Sequence, residues 1–149
     1  MPGFAPDSAC MVASLSIWHQ HHERAATEIE RRLKQGEAMV IAAPALIETY
    51  SVLTRLPQPR RLPSNTAHAL IEDNFVSRGT VIALDDAAYR TLLRQTVTEE
   101  IRGGQIYDAV IAVCARAANV TTLLTFNERH FHRFGGQGLS IVVPSAEEA

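Results

Sequence analysis

The stretch Ala38-Met39-Val40-Ile41-Ala42-Ala43-Pro44-Ala45-Leu46-Ile47-Glu48-Thr49-Tyr50-Ser51-Val52-Leu53 changes character at its middle. Residues 38–43 are a continuous apolar run of strand length, the pattern of a strand covered on both faces in a parallel sheet. Pro44 opens a helix where its missing N–H costs nothing. Leu46, Tyr50 and Leu53 then give that helix a buried face, and it ends before Pro57. A buried strand running straight into an amphipathic helix is the repeating unit of a parallel α/β fold.

The same alternation continues outward. Residues 8–17 read as a short apolar helix. Residues 22–35 carry Ala25, Ile29 and Leu33 on one helical face, and Gly36 stops them. Downstream, Ser64 caps a helix that carries Leu70 and Ile71 and stops at Gly79. Residues 80–84 form a strand. Asp85 or Asp86 then caps a helix with Tyr89, Leu92, Leu93 and Thr96 on one face. Gly103-Gly104 breaks the chain before a helix with Ile106, Val110, Val113, Cys114 and Ala117 aligned. Residues 121–126 and 139–143 supply the last strands. The expectation is one α/β domain over 1–149, with a central mostly parallel sheet flanked by helices on both faces and a frayed tail over 145–149. Pro2-Gly3-Phe4-Ala5-Pro6, with two prolines and a glycine, makes a poor central strand.

The chain has 149 residues, 46 % hydrophobic and 20 % charged, with a net charge of −2. That is the composition of a soluble domain. A protein that binds nucleic acid through broad phosphate neutralisation is basic, so any such site here is local. Of the 14 basic residues, all but Lys34 are arginines. Cys10 and Cys114 sit among apolar neighbours outside any Cys-x-x-Cys pattern and read as small buried hydrophobes in a reducing compartment. No apolar run is long enough to span a membrane, and no signal-peptide pattern opens the chain; a cytoplasmic location is expected.

Ligands of open α/β sheets bind beyond the carboxyl ends of the strands. Four polar residues fall there: Asp7 before the first helix, Glu48 in the first turns after Pro44, Asp108 at the start of the helix after Gly103-Gly104, and Asn127 just past residues 121–126. Two readings stand. Singly, each acid near a helix start is a cap or dipole partner. Jointly, three carboxylates and an amide around one pocket are hard oxygen ligands suited to Mg²⁺ or Mn²⁺. Arg129, His130 and Arg133 either hold a phosphate nearby or form an exposed polar turn. His19, His21 and His22 beside Trp18, and His130 and His132 around Phe131, fit no structural zinc spacing and lack thiolate partners. A phosphoacceptor domain would need a late lysine, and a dehalogenase-like phosphatase would need Asp-x-Asp; neither is present.

Three motifs carry a resemblance. Residues 44–53 resemble the second acidic motif of PIN domains. Gly104-Gln105-Ile106-Tyr107-Asp108-Ala109-Val110-Ile111-Ala112 is similar to the third. Thr122-Leu123-Leu124-Thr125-Phe126-Asn127-Glu128-Arg129-His130-Phe131 resembles the final motif of the VapC-type toxin branch, and Asp7-Ser8 stands where the family has its first aspartate. The similarity runs almost end to end. It implies a Mg²⁺- or Mn²⁺-dependent endoribonuclease that hydrolyses RNA phosphodiesters with a metal-activated water. Asp7, Glu48 and Asp108 would be its metal ligands, Asn127 would replace a fourth acid, and Thr125 would be a supporting hydroxyl. It further implies a homodimer and a small VapB-like antitoxin whose tail fills the groove. The alternative is a catalytically weak PIN domain that binds RNA or a partner without cutting.

Overall fold

The proline- and glycine-bearing stretch Pro2-Gly3-Phe4-Ala5-Pro6 lies at the centre of the sheet. The computed structural model describes residues 2–145, so the tail expected to fray falls, apart from Ser145, outside the described residues. β1 (Gly3–Pro6) pairs in parallel with β2 (Ala38–Ala42) on one side and β4 (Thr122–Leu124) on the other. β3 (Thr80–Ile82) and β5 (Ser140–Val142) complete a five-stranded, wholly parallel sheet of order β3-β2-β1-β4-β5.

Hydrogen-bond geometry explains why the prolines of β1 are tolerated. Gly3 O accepts from Thr121 N–H, and Asp7 N–H donates to Leu124 O, so odd-numbered residues face β4 and even-numbered ones face β2. Pro6 therefore turns its missing donor toward β2, where pairing has already ended at Phe4↔Met39. Pro2 contributes only its carbonyl, which accepts from Ala38 N–H. Gly3 is needed for close approach: a Cβ there would lie 3.0 Å from both Ala38 O and Val120 Cγ1.

The helices between strands are α1 (Ser8–Leu15), α2 (His22–Lys34), α3 (Ala43–Arg55), α4 (Ser64–Ile71), α5 (Asp86–Glu99), α6 (Gln105–Ala117) and α7 (Glu128–Phe131). The strand order moves one way from β1 through β3 and then doubles back to β4 and β5. With right-handed crossovers, α1–α4 lie on one face and α5–α7 on the other. The main core runs between the layers through Phe4, Ile41, Ile111, Leu123 and Phe131. A smaller cluster, Val12, Leu53, Ala67 and Ile71, joins α1, α3 and α4. Cys10 and Cys114 are buried and unpaired with each other. No helix of the described residues is long and apolar enough to cross a membrane.

Three expectations change. The buried face of α3 is Ala45, Thr49 and Leu53, whereas Tyr50 is 37 % exposed. The true face includes a polar residue, which an apolar periodicity skips. On α5 only Leu92 is buried, and Tyr89 and Leu93 face solvent, because that helix meets the fold along a single line. The helix from Ser64 does not run unbroken to Gly79. It widens into a π turn at Glu72–Val76, and Pro63 rather than Ser64 is its N-cap.

Gly79 sits where β3 enters the sheet. A Cβ there would stand 2.8 Å from Met39 O and 2.8 Å from Ile41 Cδ1, so β3 would have to move off β2. Gly79→Ala is expected to cost about 1–3 kcal/mol in urea unfolding. Gly104→Ala, at φ −63° with no atom within 4 Å of the added carbon, is expected to cost nothing.

Candidate active site

The strand order reverses between β1 and β4, so their carboxyl ends bound the crevice where such sheets bind ligands. Asp7 and Thr125 stand there. Asp7 follows Pro6 directly and caps α1: its Oδ1 accepts the Cys10 N–H at 2.7 Å. Its Oδ2 accepts the Thr125 hydroxyl at 2.6 Å, and that hydroxyl oxygen accepts the Asn127 N–H at 2.8 Å. A relay thus runs from the backbone of Asn127 through Thr125 to Asp7. Asp7 is only 3 % exposed and Thr125 is fully buried.

Glu48 reaches the crevice from the first turns of α3, half-buried, and its Oε1 accepts the Ser8 hydroxyl at 2.5 Å. Asp108 lies in the first turn of α6, also half-buried. Asn127 is exposed, at the N-cap position of α7. Burial pushes the Asp7 carboxyl up from 3.8 to about 7. The Thr125 and Cys10 hydrogen bonds oppose that shift, and the charges of Asp108 and Glu48 add to it. Asp108 is raised by burial and by Glu48, and lowered by His130. The Asp7 carboxyl therefore feels the charges of Asp108 and Glu48, and Asp108 feels that of Glu48.

His130, on α7, lies near enough to Asp108 to lower that carboxyl. Arg129 is exposed on the same short helix. Arg133 is engaged elsewhere: its guanidinium donates to Glu99 O at the end of α5 and lies over the Phe134 ring at 5.5 Å. Ser8 also contributes, and its place beside the N-cap Asp7 is the only signal of this in the sequence. A separate open cavity of about 680 Å³, lined by Thr121, Glu128, His132 and Ser140, contains none of the three acids.

The PIN domain family matches residues 6–137, from just before Asp7 to beyond α7. The chain belongs to the PIN-domain family. Ribonuclease VapC40 of Mycobacterium tuberculosis is 38 % identical over 119 residues, covering 80 % of this chain and 83 % of that protein. Ribonuclease VapC27 of the same organism is 36 % identical over 99 residues, covering 66 % and 69 %. Among solved structures, the Mycobacterium tuberculosis Sarcin-Ricin loop cleaving toxin VapC20 superposes with a TM-score of 0.67 at 15 % identity, over 88 % of this chain and 95 % of that one. The DNA-bound VapBC of Salmonella typhimurium gives 0.66 at 22 % identity, over 97 % and 100 %. These likenesses establish the PIN fold.

PIN-domain ribonucleases are generally metal-dependent, and the donor set here suits that chemistry. The charges of Asp108 and Glu48 raise the cost of ionising Asp7, which has no cationic partner among its interactions. Every carboxylate oxygen already accepting one hydrogen bond keeps a second lone pair. As they lie, no three His, Cys, Asp or Glu side chains among the described residues converge tightly enough to grip one ion. The fit is therefore one of donor type, with Glu48 and Asp108 on half-exposed helix turns facing a fixed Asp7.

The raised Asp7 gives a pH dependence of definite sign. Between 3.8 and about 7 the folded chain holds a proton that the unfolded chain has released. Stability from this group is present below the lower value, falls as pH rises through the window and levels off above it. Relative to Asp7→Asn, the metal-free wild type is expected to lose on the order of a few kcal/mol across that range in pH-stepped urea melts. Parallel profiles for the two proteins would contradict the assignment.

Proposed function

We propose that this PIN domain is a divalent-metal-dependent endoribonuclease acting as the toxin of a toxin–antitoxin pair. The observation that carries the reading is the buried Asp7 carboxyl at the sheet's switch point, electrostatically coupled to Glu48 and Asp108. Relatives above 35 % identity named ribonucleases support it. In this reading Asp7, Glu48 and Asp108 hold the ion, which is Mg²⁺ or Mn²⁺, and Asn127 borders it. A bound divalent cation supplies Lewis-acid polarisation of the phosphodiester and eases deprotonation of water.

The chain's own groups do the positioning. Thr125 and the Cys10 N–H fix both oxygens of Asp7, so the most buried ligand does not rotate. Ser8 orients Glu48. Arg129 supplies positive charge for a scissile phosphate, and His130, near Asp108, supplies a ring nitrogen for hydrogen bonding to it. Arg133, tethered to Glu99 O, serves that role less well and instead holds the turn after α7 to α5. An amide at position 127 carries no charge, which favours one ion over two. The partners in this reading are an RNA substrate, a small antitoxin whose segment covers the crevice, and a second copy of the chain.

The test is cleavage of total bacterial RNA by the purified chain with Mg²⁺, with Mn²⁺ and with chelator. Discrete metal-requiring cuts are expected. Asp7→Ala, Glu48→Ala and Asp108→Ala should each lower cleavage by more than about a hundred-fold, beyond the loss typical of residues that only support a ligand. Their circular dichroism should remain native. Undiminished cutting by folded Asp108→Ala would exclude this mechanism. Native metal binding with no cutting of any RNA would favour a PIN domain kept for binding.

A further inference from the structure

The turn that leaves β4 carries two contacts of the site with one residue between them. The Thr125 hydroxyl donates to Asp7 Oδ2 and accepts the Asn127 N–H. Phe126 lies between them and has no polar side-chain atom with which to hold the turn. Its half-buried ring is held from α2 instead. The ring of His21, the residue before α2, stacks on Phe126 at 4.4 Å with an interplanar angle of 13°. The Arg24 guanidinium lies 5.3 Å from the Phe126 centroid. The same guanidinium donates from Nε at 3.1 Å and from Nη2 at 2.8 Å to the carbonyl of Pro144, just past β5. Thr125 N–H in turn donates to Val142 O, so Arg24 ties together two chain segments that are already paired one step earlier.

These contacts close a circuit through the fold. Asp7 caps α1, and Ala13 O in the last turns of α1 lies 3.0 Å from His22 Nδ1 at the start of α2. His21 and Arg24 reach from α2 to Phe126 and Pro144, and Thr125 returns to Asp7. A hydroxyl has one proton to give. While the Asn127 N–H occupies the Thr125 oxygen, that proton is directed at Asp7. A shift of Phe126 would draw the Asn127 N–H away and leave the hydroxyl free to rotate.

Burial alone does not call for this arrangement. Leu124 and Phe131, close by in the chain, are covered by the core, whereas Phe126, His21 and Arg24 are all partly exposed. A stacked ring and a cation over an aromatic face are directional contacts. They fix the orientation of Phe126, which an aliphatic side chain of similar volume would not.

We propose that His21, Arg24 and Phe126 form a clamp that holds the Thr125–Asn127 turn and, through it, sets the Asp7 carboxylate for the ion. This rests on the reading of Asp7 as a metal ligand given above. The three act through Thr125 and are positioning residues.

The test uses the full chain and two readouts. NMR in EDTA gives the exchange of the Asn127 N–H with water, and calorimetry gives the Mn²⁺ affinity. Arg24→Ala and Phe126→Leu should each speed that exchange about five-fold, the scale of one lost hydrogen bond. Each should weaken Mn²⁺ binding about ten-fold, as for groups that orient a metal ligand. Phe126→Tyr, which keeps the ring, should match the wild type in both. Arg78→Ala breaks the 2.6 Å ion pair to Glu30 further along α2 and should leave both readouts unchanged. Losses in Arg78→Ala equal to those in Arg24→Ala would reduce the clamp to general stability and overturn it. So would unmoved exchange, or faster exchange at unchanged affinity, in the clamp variants. If Arg24→Ala does not fold, Phe126→Leu against Phe126→Tyr decides. A wild type that binds no Mn²⁺ would sink the metal-dependent ribonuclease reading. Faster exchange in Arg24→Ala would then keep the hold on the turn, and unmoved exchange would remove both.

Discussion

A carboxylate buried at the end of the central strand is the constraint around which this structure is arranged. Asp7 is held on both oxygens, with Thr125 on one side and the first turn of α1 on the other. Those bonds stabilise the charge, but burial outweighs them and pushes the group up to about 7. An aspartate kept there at the expense of its own ionisation is a poor stabiliser of the apo fold. It becomes favourable when a cation lies against it, since an opposite charge within a few ångströms lowers a carboxyl pKa. Glu48 and Asp108 deepen both the cost without an ion and the benefit with one.

The topology brings the three acids to one edge of the sheet although they are far apart in sequence. β1 and β4 are neighbours because the chain reverses direction after β3, which brings Asp7 beside Thr125 across 118 positions. α3 follows β2 with no loop, so Glu48 is fixed relative to the strand end by helix geometry alone. α6 is preceded by Gly103-Gly104, and Gly103 adopts φ 56°, a left-handed turn just before the helix that carries Asp108 in its first turn.

The parts of this arrangement that are legible in the sequence are those set by local chemistry. The junction at Pro44 shows because an apolar strand and an amphipathic helix adjoin without a linker. Asp108 and Asn127 show because each follows a clear break or strand end. β1 is hidden: its prolines argue against a central strand, and only the alternation of donors toward β4 and β2 makes them harmless. Thr49 is hidden in α3 because a fully buried hydroxyl, bonded to Met11 Sδ at 3.7 Å, breaks the apolar pattern. The histidines at 19, 21 and 22 show in sequence only that they fit no zinc spacing, which leaves solvation or packing. The contact of His21 with Phe126, more than a hundred positions away, exists only once β4 lies beside β1.

Proton release on metal binding tests the central role of Asp7 most directly. Calorimetric titration with Mn²⁺ in buffers of differing ionisation enthalpy counts the protons displaced. With Asp7 protonated in the apo protein below about pH 7, binding at about pH 6 should release close to one proton, and at about pH 9 none. Asp7→Asn should abolish the release. Binding with the same proton count at both pH values would contradict a buried carboxyl that ionises only against the cation.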